Sequence, residues 1–126
     1  MAEVTPVFSP CEAPITMQAS AAVTGGRLVE NTAGTANGTV GPAAAASLKV
    51  VGWAGNDQAT VGGKVPVWPL PALVFEILCT GAVAAGDNVA AAVNGTVAPI
   101  GAGTFGQLVG VALTGGTDVT IRVLGR

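Results

Sequence analysis

The chain has 126 residues, enough for one domain; half are apolar, 10% are charged and the net charge is -2. A soluble domain usually carries roughly 25% charged residues, so too few charges are present to coat a free monomer, and coverage of part of the surface by other chains is expected. The charge balance leaves no basic footprint for nucleic acid. The absence of histidine removes Ser-His and Cys-His nucleophile pairs and imidazole-based zinc sites.

Residues 1–19 read as an extended N-terminal arm. Pro6, Pro10 and Pro14 recur at a density that forbids a helix interior or a central strand. The apolar Val4, Val7, Phe8, Ile15 and Met17 need a surface to lie against, and Val4, Val7, Phe8 and Ile15 are the expected partner contacts. The acidic "MAEV" start and the lack of an apolar stretch argue against a signal peptide, so the two Asn-Gly-Thr sequons are not expected to be glycosylated. On the same reasoning Cys11 and Cys79 are expected to be free thiols.

From Ser20 the signal is β, and residues 20–126 are expected to form a single β domain. Turn pairs such as "TGG", "NG", "GND" and "GD" recur along the chain, as in a small barrel or sandwich. "GPAAAASL" could form one helical turn. "KVPVWP" alternates valine with proline and reads as an edge strand. "PALVFEIL" is a continuous apolar run, expected to be a strand buried on both faces or in an interface. "DVTIRV" puts Val119, Ile121 and Val123 on one face. The uncharged run from Asn88 to Thr117 is broken by glycines and Pro99, so no membrane span is expected.

The chain repeats itself. "NGTV" occurs at Asn37–Val40 and Asn94–Val97, where Asn-Gly favours a tight hairpin. Val23, Gly26 and Val29 match Val83, Gly86 and Val89, Pro42 matches Pro99, and "VVGWAG" (Val50–Gly55) matches "LVGVAL" (Leu108–Leu113). Two duplicated β units follow, repeat one at about 20–70 and repeat two at about 79–126. Neither unit could bury its own apolar face, so the two are expected to combine into one barrel or sandwich.

Catalytic chemistry is not expected. "GAGTFG" matches Gly-x-Gly-x-x-Gly but leads into a strand-like "QLVGVAL" rather than a helix, so no dinucleotide site is expected. Asp57, Asp87 and Asp118 sit in glycine- or asparagine-flanked turns and read as turn-shaping residues, not a metal cluster. No enzyme activity, cofactor or metal is assigned. Trp53, Trp68 and Phe75 are expected at an oligomer interface, because the second unit has Val111 where the first has Trp53.

The order "AVAAGDNV … NGTV … LVGVAL … GGTDVTIRV", preceded by a looser copy of itself, resembles the small head decoration (capsid cement) proteins of tailed bacteriophages. The first unit departs from it at Gly26-Arg27 and at Trp53. The resemblance implies a β-rich protein made in the host cytoplasm that binds the major capsid protein on the head exterior. It would act there as a homotrimer, reinforcing the shell against DNA pressure. The arm residues would then be the capsid contacts. The alternative reading is another phage structural β-module, from a tail, a spike or an adhesin-like domain.

Overall fold

The computed structural model describes residues 14–32 and 38–126. These form a nearly all-β molecule of short strands and two single-turn 3-10 helices, at Val93–Gly95 and Phe105–Gln107. The first five strands are β1 (Ile15–Ala19), β2 (Leu28–Asn31), β3 (Thr39–Pro42), β4 (Val50–Ala54) and β5 (Lys64–Trp68). They close into a barrel in the order β1-β3-β2-β4-β5. A second five-stranded sheet comprises β6 (Val74–Leu78), β8 (Asn88–Ala91), β9 (Val97–Pro99), β10 (Leu108–Ala112) and β12 (Thr120–Gly125), in the order β6-β12-β10-β8-β9. A small pair, β7 (Ala82–Val83) with β11 (Gly116–Thr117), lies beside it.

The two units have the same strand order when read around the ring. Val29 pairs with Pro42 and Gly52 in the first, and Val89 pairs with Pro99 and Gly110 in the second. The first barrel is sealed by the parallel pair Ala19 with Val40; its counterpart is a parallel bridge between Cys79 and Val97. Both β4 and β10 carry a register shift at the same place, beside Val51 and Val109. An extra residue in one strand raises local twist, which a small sheet needs in order to curl onto itself.

Each unit has its own interior. Ala19, Val23, Val29, Val40, Ala54, Val65 and Val67 fill the first. Cys79, Val83, Val89, Val97, Ala112, Ile121 and Val123 stand at the equivalent positions of the second. Small β-branched side chains predominate because so narrow a ring leaves little room inside. Leu28, Trp53, Leu70, Leu73 and Phe75 extend the second cluster into the seam between the units.

Four local expectations need correction. β5 is not an edge strand, since it pairs with β1 on one side and β4 on the other. Pro66 is tolerated because it stands one residue beyond the last β4–β5 pair, Ala54 with Val67. "PALVFEIL" is not buried throughout: Pro71–Leu73 is a turn, and within β6 Phe75 and Ile77 face the core while Glu76 is exposed. "GPAAAASL" makes a turn without a helix, and Ala46 there has φ +57°. The segment read as an arm ends earlier than Ala19, because Ile15–Ala19 is β1 itself and is hydrogen-bonded on both sides. β1 itself contains no proline, so each of its residues keeps an N–H for the ladder.

The glycines of β4 and β10 separate two roles. A Cβ on Gly52 would sit 2.5 Å from the Trp68 carbonyl oxygen, and one on Gly110 would collide with that of Leu124. Gly62, by contrast, has φ +85° and open space around it. Gly52→Ala and Gly110→Ala should therefore each destabilise the fold by about 3 kcal/mol, the upper end of overpacking costs. Gly62→Ala should lose only about 1 kcal/mol for its backbone conformation. Urea unfolding of the three variants tests this order.

Candidate functional site

The expected interface aromatics are instead structural. Trp53 and Phe75 are fully buried, with ring centroids 6.0 Å apart at a 42° tilt, and Trp68 is half-buried against the same cluster. Trp53 stands opposite Trp68 in the β4–β5 pair. Burial inside one chain removes Trp53 and Phe75 from any oligomer interface. The asymmetry that singled out Trp53 arises because it leaves its own barrel and fills the seam toward Phe75. Its Nε1 is buried without a hydrogen-bond partner, so the ring is held by packing alone. Of the expected arm contacts, Val4, Val7 and Phe8 lie outside the described residues. Ile15 is 51% exposed at the start of β1.

The second "NGTV" does more than turn the chain. Asn94 and Gly95 both have positive φ, at 56° and 72°, as a tight hairpin requires. Gly95 is buried, donates to the Ala43 carbonyl at 2.9 Å, and has no room for a Cβ beside the backbone of Leu28. The hairpin tip thus docks on the first unit, and Arg27 Nη1 clasps it by donating to the Asn94 carbonyl at 3.2 Å. A shallow groove of about 170 Å³ opens beside this clasp, lined by Val23, Arg27, Pro42 and Asn94.

A second groove lies elsewhere along the seam. A groove of about 210 Å³ is lined by Leu48, Val50, Val51 and Leu70 from the first unit and by Gly106, Leu108, Val109 and Arg126 from the second. These residues come in equivalent pairs: Val50 matches Leu108, and Val51 matches Val109. Leu48, which lines the groove, is 67% exposed, and Phe105, next in sequence to the lining Gly106, is 87% exposed. No sequence signal marked Leu48 or Phe105, because each sits alone in a loop.

The loop carrying Leu48 is anchored by Glu30, whose Oε1 accepts the Ala44 N–H at 2.9 Å. Lys49 Nζ lies 3.9 Å from Oε2. The Ala44 N–H, against the opposing effect of burial and helped by the Ser47 hydroxyl and the Lys49 ammonium, holds the Glu30 carboxyl below its ordinary value. The turn aspartates act on backbone: Asp57 accepts the Gly25 N–H at 2.7 Å, Asp87 that of Ala84 at 2.9 Å, and Asp118 that of Gly81 at 2.7 Å. Cys79 is a free, buried thiol. Among the described residues no group of three or more His, Cys, Asp or Glu is placed to hold a metal ion. None of their helices is long and apolar enough to cross a membrane.

No family model and no curated relative matches the sequence. Among solved structures, the fold is similar to the N base of the head fiber protein gp8.5 of bacteriophage phi29. The TM-score is 0.70 and the identity 18%, over 89% of this chain and 92% of that one. At that identity the likeness concerns the fold alone.

Two predictions follow from the packing and the loop anchor. Trp53→Ala should cost about 3–5 kcal/mol of folding stability, as deletion of a fully buried aromatic does, and Trp68→Ala clearly less. Comparable small losses for both in denaturant unfolding would show that Trp53 is not a core residue. A carboxyl with a lowered folded pKa stabilises the fold above its unfolded pKa, and the contribution is lost as pH falls through the folded value. The stability advantage of wild type over Glu30→Gln should therefore be about 1 kcal/mol at neutral pH, reduced by solvent screening. It should vanish on acidification below 4.5, the ordinary value for the group. Thermal unfolding of both proteins across that range measures it.

Proposed function

We propose that this protein is a non-enzymatic structural component of a bacteriophage virion, attached to the outside of the head as a decoration protein. The observation that carries the reading is the fold likeness to a phage head-fiber base across nearly the whole of both chains. The sequence resemblance to head decoration proteins points the same way from separate evidence. In this reading the partner is the major capsid protein, and the decorating species is a homotrimer. The two β units descend from one duplicated unit, a history supported by their shared strand order and register.

The low charge of the chain supports coverage by other subunits, and exposed Leu48 and Phe105 are candidates for covered residues. A second reading is favoured by the neighbour's description as a base: this domain could mount a longer fiber on the head instead of cementing the shell. Trp53 and Phe75 have no part in either version, since they are spent inside the protomer.

The test mixes the purified full chain with heads and, separately, tails of the phage that encodes it, and follows co-sedimentation. Saturable binding to heads, in trimer multiples, is expected, with a higher temperature for DNA release from decorated heads. Binding to heads without a change in DNA release would favour the fiber-base version. Binding to tails alone would overturn both.

A further inference from the structure

Position 27 is where the two units part. By the match of Val23, Gly26 and Val29 with Val83, Gly86 and Val89, Thr24 corresponds to Ala84 and Arg27 to Asp87. The two turns agree bond for bond. Gly26 and Gly86 both have positive φ, at 81° and 92°. Gly26 N donates to the Ala54 carbonyl and Gly86 N to that of Ala112, each at 2.7 Å. Ala54 N donates to the Arg27 carbonyl and Ala112 N to that of Asp87, each at 2.8 Å. In the second unit the Asp87 carboxylate also accepts the Ala84 N–H, at 2.9 Å. In the first unit position 27 is a cation, which cannot accept, and among the described residues no acceptor takes up the Thr24 N–H.

We propose that the Thr24–Arg27 turn is a receptor for an Asp or Glu side chain of a protein partner, whose carboxylate takes the place that Asp87 fills in the second unit. Three observations carry this. The sister turn shows which backbone amide binds a carboxylate, and its counterpart at Thr24 is open. Thr24 and Arg27 both line the groove of about 170 Å³ beside the hairpin clasp. Arg27 spends Nη1 on the Asn94 carbonyl at 3.2 Å and forms no ion pair among the described residues, so Nε and Nη2 remain as donors. One oxygen of the incoming carboxylate accepts the Thr24 N–H and the other accepts from the guanidinium, a charge-assisted pair. The adjacent amide, Gly25 N–H, is already held by Asp57 at 2.7 Å, which confines the open position to Thr24. The Asp57 charge repels an arriving anion, and the Arg27 cation offsets that repulsion. Ala22, Val23 and Pro42 supply apolar lining, which suits the chain that carries a carboxylate better than a bare ion. This does not depend on where the protein is attached, and the isolated protein tests it.

The experiment titrates the full chain with the capped tripeptide Ala-Asp-Ala, its Ala-Asn-Ala analogue, acetate and inorganic phosphate, following backbone amide resonances. The expected result is a saturable shift of the Thr24 amide with the Asp peptide and none with the Asn peptide, both read on the unaltered protein. Arg27→Ala should weaken the Asp peptide about tenfold, as loss of one charge-assisted bond does. Arg27→Asp loses the same clasp on Asn94 but supplies its own carboxylate. Its Thr24 amide should already stand at the peptide-bound position, and the peptide should no longer shift it. No saturable shift at Thr24, an equal response to the Asn peptide, or undiminished peptide binding by Arg27→Asp would overturn the proposal. Acetate or phosphate binding as tightly as the Asp peptide would also overturn it, by showing an anion site with no preference for a partner chain.

Discussion

The structure depends on curling sheets of five very short strands, the first of them closed into a barrel, and the constraint that permits it is the absence of a side chain at Gly52 in the barrel and at Gly110 in the second sheet. At both positions the carbonyl of the neighbouring strand, from Trp68 or Leu124, occupies the space a Cβ would need. The register shift beside each glycine adds the twist that brings the ring round. A closed ring has no edge to protect, which is how β5 can carry Pro66 without exposing a ladder. Its narrow bore then dictates the small interior side chains: valine and alanine throughout the first unit, with isoleucine admitted in the second.

Two such rings would be weak alone, because a bore lined by valines buries little area. The seam supplies the rest. Trp53, Phe75, Leu28 and Leu73 are among the largest fully buried side chains, and all lie in the cluster that spans the units. The same departure from equivalence explains why Ile15 is half exposed whereas Phe75, its partner position, is sealed. The lead-in Leu70–Leu73 covers the second ring, and Leu73 and Leu70 are themselves buried there. Hydrogen bonds from Gly95 to Ala43 and from Ala46 to Ala91 reinforce the joint.

Surface chemistry follows from this division of labour. The bulky apolar residues are consumed within the molecule, so the exposed ones that remain are loop residues such as Leu48, Val61 and Phe105. Leu48 lines a groove and Phe105 precedes the lining Gly106, whereas Val61 stands in a turn on its own, and solitary exposed apolar residues are ordinary. The charged residues serve mainly as local fasteners: Glu30 holds the loop of Leu48, Arg27 clasps the second hairpin, and the aspartates tie turns.

Much of the β architecture was legible in the chain because turn residues and alternating valines act locally. Asn94-Gly95 has to turn whatever surrounds it, and Val119, Ile121 and Val123 alternate whether or not a partner is known. The chain also signalled its poverty in charge and in imidazole by composition alone. The side on which each aromatic would be spent was not legible. Trp53 reads equally well as an interface anchor or as core, since its fate depends on a second unit packing over the outer face of β4. The status of β5 was hidden for the same reason: whether a strand is an edge depends on which distant strand reaches it, and here β1 does. The groove, finally, is assembled from loops and strand ends far apart in sequence. Only the packing of one ring against the other brings Leu48, Leu70, Leu108 and Arg126 together, because burial and proximity are properties of the closed fold and not of any local run of residues.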